Sequence, residues 1–429
     1  MITPTDDLYI TEDTKLESGI YYVPNGLTIL EDGITLDGNG ALLVGKERFG
    51  RGIRISGRSN VTIKNLRLQE YEFGIHAQDS QNLTISNCRI TATAETPANT
   101  IFLNVWLPAE KSYGGGIFLK NVSHSQVLDN DLQHQMNGLH TYHCQHLAVR
   151  SNNASYCSGW GFHLYDTCDS LFEANTADYC CRYQPHGERT GHLGADAAGF
   201  LMVYNSCRNT FRRNNARMGG DGFFVGGMTS EFEPVGCNDN LFEENDGSYS
   251  PNIAFEATFC SGNVFRGNYA NASNYGFWLG FSSNGVLENN QIINNRLAGI
   301  ATENGCHFEV RNNLFQNNGH GLLLWSKQVP AFAKGVPDND TSHNWVVEGN
   351  TFHNNRKAIR IAADQDHGVR PLPPTGEWGL PAPMPHHHAI RRNRLENNQM
   401  DLDFVRIIDT ITEENTGTRY DRRKHHQPG

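Results

Sequence analysis

No apolar run in this chain approaches the roughly 18 residues that cross a bilayer as a helix, so no membrane partner is expected. Basic charge is scarce too: 35 Lys and Arg stand against 46 Asp and Glu, a formal net charge of -11 over 429 residues. Nucleic acid and other polyanions would be repelled on approach, which leaves a neutral partner. The ten cysteines include no Cys-x-x-Cys pair. A chain of this length builds its own core, so buried free thiols are expected rather than a disulfide framework. The amino terminus, MITPTDDLYITEDTK, lacks the basic start and apolar stretch of a secretory leader. A cytoplasmic location is the expectation, or a secreted one if a leader has been removed. Helical periodicity is missing, and so is the LxxLxL signature of leucine-rich repeats.

What the chain has instead is a repeat. Gly followed by a large apolar residue recurs at Ile75, Ile117, Leu139, Phe162, Phe200, Phe223, Phe277, Ile300 and Leu322, with Ala replacing Gly before Phe255 and Ile359. An asparagine follows most of these steps, at Asn130, Asn152, Asn175, Asn214, Asn245, Asn268, Asn290, Asn313, Asn350 and Asn393. Their successive separations are 22, 23, 39, 31, 23, 22, 23, 37 and 43 residues, so the base period is 22 or 23. A unit of that length, with short β-type runs and Asn/Gly corners, fits one coil of a parallel β-helix. Each asparagine amide would stack at an inward corner and hydrogen-bond the coils above and below. Cysteines keep the same beat at Cys144, Cys168, Cys207, Cys260 and Cys306, and at Cys157 and Cys180. Residues 1–30 would cap the stack and form its first coil, 31–415 would carry the coils, and 416–429 would be a disordered tail.

The long separations locate insertions near 182–197 and 228–236, with others near 93–114, 327–342 and 363–387. All flank the Gly-apolar strand, so they would wall a cleft whose floor is that strand. With the apolar residue inward, the next residue points out: Phe118, His140, His163, Leu201, Phe224, Glu256, Trp278, Ala301, Leu323, Arg360. Two residues on, the lane includes Tyr142, Tyr165, Glu303 and Trp325.

Asp221, in GGDGFFVGG, precedes this strand, and Glu256 lies one coil further on. Two carboxylates flanking a glycosidic bond supply the leaving-group proton and a nucleophile or base. Asp221 and Glu256 are the preferred pair, with Glu231, Glu233 and Asp196 competing; a turn aspartate or surface charge is the plain alternative. His140, Tyr142, His163 and Tyr165 would form a polar-aromatic patch, and Arg182, His186, Arg189 and His192 a flanking loop for sugar hydroxyls. Trp278 and Trp325 would offer flat faces for a sugar ring. The His386–His388 run reads as a spacer, and no metal or other cofactor is expected.

The stretches GITLDGNGALLVG, SNVTIKNLRL, SQNLTISNCRI and CNDNLFEEN resemble the right-handed parallel β-helix proteins of the pectate-lyase-like superfamily, many of which act on carbohydrates. The resemblance spans about residues 15–410 and implies a fold more than a reaction. Polygalacturonase-type hydrolases pair a GHG with an Asp-Asp one coil earlier. Gly319, His320 and Gly321 spell the former, but the coil before reads RLAGIATENG. The DPHD motif of mannuronan C5-epimerases is absent, and inulin fructotransferases offer a likeness of fold only. The resulting expectation is an all-β, right-handed single-stranded parallel β-helix whose inserted loops form a cleft, cleaving or transferring glycosidic bonds of a neutral oligo- or polysaccharide. The alternatives are a lyase or uronate C5-epimerase using His163, Tyr165, Arg182 and Arg189, and a non-catalytic glycan-binding β-helix. Exposed Phe and Leu on a solenoid admit a homodimer or homotrimer.

Overall fold

The computed structural model describes residues 1–97, 100, 102–186, 189–193, 196–332, 335–363 and 383–417, with the side chains of 183–193 left aside. Most of the insertion at 363–387 and of the tail at 416–429 therefore lies outside the described residues. The chain forms two compact units, Met1–Asp221 and Gly222–Gly429.

In the first unit the Gly-apolar strands pair in parallel, each with the next coil, from Leu8–Ile10 to Ala198–Val203. Ile75 opposes Ile117, Leu139 opposes Phe162, and Phe162 opposes Phe200, all fully buried. The glycine of the step is dictated by the neighbouring coil. A Cβ on Gly138 would lie 2.5 Å from the Gly161 carbonyl oxygen and 2.5 Å from Ala154 Cβ. A second parallel sheet, from Thr14–Lys15 to Thr210–Arg212, follows the first around each coil, and a third holds Ile20–Tyr22, Leu42–Val44, Arg67–Gln69 and Arg89–Thr91. The second unit repeats the pattern. There Phe255, Phe277, Ile300, Leu322 and Ile359 stack in register. Its third sheet holds Gln291–Ile293, Leu314–Gln316, Thr351–His353 and Arg394–Glu396. Among the described residues, helix is limited to one 3-10 turn, Ala109–Lys111. This is the right-handed parallel β-helix expected from the period.

The asparagine ladder forms as anticipated. Asn152 donates from Nδ2 to Asn175 Oδ1 at 3.0 Å and to the Val127 carbonyl at 2.8 Å, and its backbone N–H meets the same Oδ1 at 3.0 Å. In the second unit the run passes from Asn245 through Asn268, Asn290, Asn313 and Asn350 to Asn393. A further ladder, Asn295 to Asn318 to Asn355 to Asn398, was not anticipated. The residue before each rung turns the corner in the left-handed region, for example Asp129 at φ 54, Ser151 at φ 55 and Ala174 at φ 54. None of the ten cysteines is joined in a disulfide, and seven of them are buried.

Candidate functional site

In the first unit the lane expected to be open is closed. Strands Leu139–Tyr142 and Trp160–Tyr165 bring His140 opposite His163 and Tyr142 opposite Tyr165. The imidazoles are 0% and 1% exposed, and their Nδ1 atoms stand 3.0 Å apart. Such a contact is a hydrogen bond only if one Nδ1 carries a proton and the other does not. Trp160 stacks on His163 at 4.8 Å, and Tyr142 meets it edge-on at 5.2 Å. Burial pushes His140 down to about 4. Burial, and secondarily His140, hold His163 well below the usual imidazole range. Neither Nε2 has a hydrogen-bond partner among the described residues.

The cover consists of the insertions themselves. Tyr142 Oη donates to the Leu107 carbonyl at 3.3 Å, and Trp160 Nε1 to the Asp196 carbonyl at 2.7 Å. Arg182 donates to the carbonyls of Pro97 at 3.0 Å and Thr100 at 3.2 Å, tying the loop after Cys181 to the loop before Gly114. His140, Tyr142, His163, Tyr165 and Arg182 are therefore buried packing and clamping residues here, and they do not line an open groove. The loops were expected to wall the floor, and in this unit they lie on it. The backbone of His186, Arg189 and His192 belongs to an antiparallel hairpin, Tyr183–His186 with Arg189–Leu193; their side chains lie outside the described residues.

Asp196 sits in a turn at φ 60, where its carbonyl anchors Trp160. Asp221 opens the strand Asp221–Gly226, is 2% exposed, and donates its backbone N–H to the Ala197 carbonyl at 3.1 Å. Its side chain is therefore not at the surface, contrary to the plain alternative of an exposed turn residue. Glu231 and Glu233 lie exposed in a tight turn closed by Met228 and Pro234, with Ser230 Oγ donating to Glu231 at 2.8 Å.

The second unit carries the accessible part of the lane. Strand Ile253–Thr258 sets Glu256 directly opposite Trp278, and both side chains are half-buried. Tyr275 packs edge-on to Trp278 at 4.8 Å and Trp325 lies 5.5 Å away. Trp325 is only 1% exposed, within an apolar cluster that includes Ile253, Ala301 and Leu323. It buttresses Trp278 and does not present its own face, contrary to expectation. Its Nε1 donates to Glu303 Oε2 at 3.2 Å, and Lys327 Nζ stands 4.0 Å from Glu303 Oε1. Glu303 is thus a further carboxylate of this region, and its place in the same lane as Trp325 is the signal in the sequence that points to it. Arg360, at the far end of the first lane, is buried in an ion pair with Asp403, which Lys357 Nζ also meets at 2.6 Å.

Fold and register together define a right-handed parallel β-helix protein. The family model described as "Right handed beta helix region" matches residues 234–370, and that described as "Periplasmic copper-binding protein (NosD)" matches residues 9–215. No curated protein matches the chain in sequence. Among solved structures, the chain is similar to the A-module of the Azotobacter vinelandii mannuronan C-5 epimerase AlgE6, at 15% identity over 95% of this chain and 92% of that one, with a TM-score of 0.45. It is also similar to the catalytic domain of a GH87 alpha-1,3-glucanase, at 10% identity over 97% and 69%, with a TM-score of 0.44. A third likeness is to the DFA-IIIase of Arthrobacter chlorophenolicus A6, at 10% identity over 70% and 70%, with a TM-score of 0.42. Among the described residues no helix is long and apolar enough to cross a membrane.

Proposed function

We propose that the chain is a carbohydrate-active enzyme that binds a neutral oligo- or polysaccharide against Trp278 and acts on it with Glu256. The observation that carries this reading is the in-register pairing of Glu256 with Trp278, two half-buried side chains backed by Tyr275 and Trp325. An indole face packs against the C–H face of a sugar ring. A carboxylate beside it accepts hydroxyl protons, or serves as acid, base or nucleophile at the glycosidic oxygen and anomeric carbon. Asp221, the other carboxylate of the expected pair, is the residue to test beside it. Acidic net charge favours an uncharged glycan over a uronate polymer. The word periplasmic in the description matched over residues 9–215 favours an exported protein over a cytoplasmic one.

The test is a panel of neutral and uronic-acid glycans, with products read by mass and ultraviolet absorbance for the wild type, Glu256→Gln, Asp221→Asn and Trp278→Ala. Cleaved or transferred products from a neutral glycan are expected. Glu256→Gln should lower kcat by roughly 100-fold or more, and Trp278→Ala should chiefly raise KM. Binding that survives Glu256→Gln with no turnover in the wild type would make this a glycan-binding protein. Unsaturated products insensitive to both carboxylate variants would overturn the reading.

A further inference from the structure

We infer that Cys306, His307 and His343 form a metal site in the second unit, of the kind that takes zinc or another borderline-to-soft transition ion. One ligand atom from each, the thiol sulfur and two imidazole nitrogens, fall within 4.8 Å of one another. Donors around a tetrahedral zinc stand roughly 3.2–3.8 Å apart, so small side-chain rotations bring the three to one centre. The coil geometry makes the cluster: Cys306 and His343 are bridged neighbours on successive coils, and His307 follows Cys306 at φ 56, a conformation that swings its ring round the corner to 5.1 Å from that of His343.

Three further features suit a cation. His343 Nδ1 lies 3.1 Å from the Thr341 carbonyl, which can only accept, so Nδ1 carries the hydrogen and Nε2 keeps its lone pair. That is the outer hydrogen bond by which metal-binding imidazoles are oriented. Asp338 and Asp340 from the adjoining insertion act electrostatically on both Cys306 and His343. Asn339 between them holds the segment over the thiol, donating to the Asn304 carbonyl at 2.8 Å and reaching Cys306 Sγ at 3.5 Å. A sulfur with two imidazoles excludes magnesium and calcium, which want oxygen, and suits zinc, copper or cobalt. The three residues lie outside residues 9–215, and the inference is independent of the glycan site.

The experiment uses the full chain, stripped with a chelator and titrated first with cobalt(II) and then with zinc. A thiolate-to-cobalt charge-transfer band with intense visible d–d bands, at one cobalt per chain and abolished by zinc, is expected. Cys306→Ser should remove the charge-transfer band. His307→Gln, an exposed position that leaves the fold intact, and His343→Gln should each weaken zinc binding at least 10-fold, with an unchanged circular dichroism spectrum. Absence of a thiolate band in the wild type, or a band that persists in Cys306→Ser, overturns the site; the latter would move binding to another of the ten thiols.

Discussion

The His140–His163 contact allows one proton between two facing Nδ1 atoms, and a second would set two N–H groups against each other across 3.0 Å. Both rings are held neutral by burial, with His140 brought down to about 4. In the unfolded chain each would titrate near 6.5. Below about 6.5 the unfolded state binds more protons than the folded one, so stability falls as pH drops, and the His140 share of that loss is complete below about 4. The urea midpoint should follow that curve. His163→Phe keeps a ring against Trp160 and removes one titrating site, so its midpoint should fall less steeply over the same range. An equally steep fall would show that other groups control acid sensitivity. Glu256 and Trp278 make the complementary case, in which half-exposure marks the residues able to meet a ligand.

At the scale of one coil, stability rests on two repeated devices. Asn290 receives two hydrogen bonds from Asn268 and donates to the Phe265 carbonyl and to Asn313. Asn290→Ala would strand buried donors and an acceptor, at about 1–3 kcal/mol each, so a loss of about 3 kcal/mol or more is expected in chemical unfolding. Asn290→Asp keeps the acceptor for Asn268 but sets a buried carboxylate oxygen against the Phe265 carbonyl and Asn313 Oδ1, so at neutral pH it should cost at least as much as Ala. The other device is the bare glycine of the strand. Gly138→Ala pushes a methyl into the Gly161 carbonyl and Ala154, and overpacking of that kind costs about 1–3 kcal/mol. Ala174→Gly should act in the opposite sense, since φ 54 strains any side chain. A midpoint lowered by Ala174→Gly would show that the corner is not strained.

Over the molecule as a whole, the 22-residue beat determined more than composition did. Coil after coil repeats an inward apolar residue, most repeat the Asn corner and the glycine, and stacking such similar units is what lets a periodic sequence bury a continuous core. The Asn295–Asn398 ladder was legible by the same rule, because its members trail the first ladder by five residues. The proposed metal-ligand cluster also left a signal: Cys306 and His343 are separated by 37 residues, the same interval as Asn313 and Asn350, and His307 adjoins Cys306. The sequence by itself thus determined the fold, the register and the lane to which each residue belongs, since these follow from local period. Only tertiary structure decided which stretches of lane stay accessible. Arg182 reaches Pro97 across 85 residues of chain, and Tyr142 reaches Leu107 across 35. Whether an insertion walls a strand or lies upon it depends on such non-repeating contacts, and these carry no period to read.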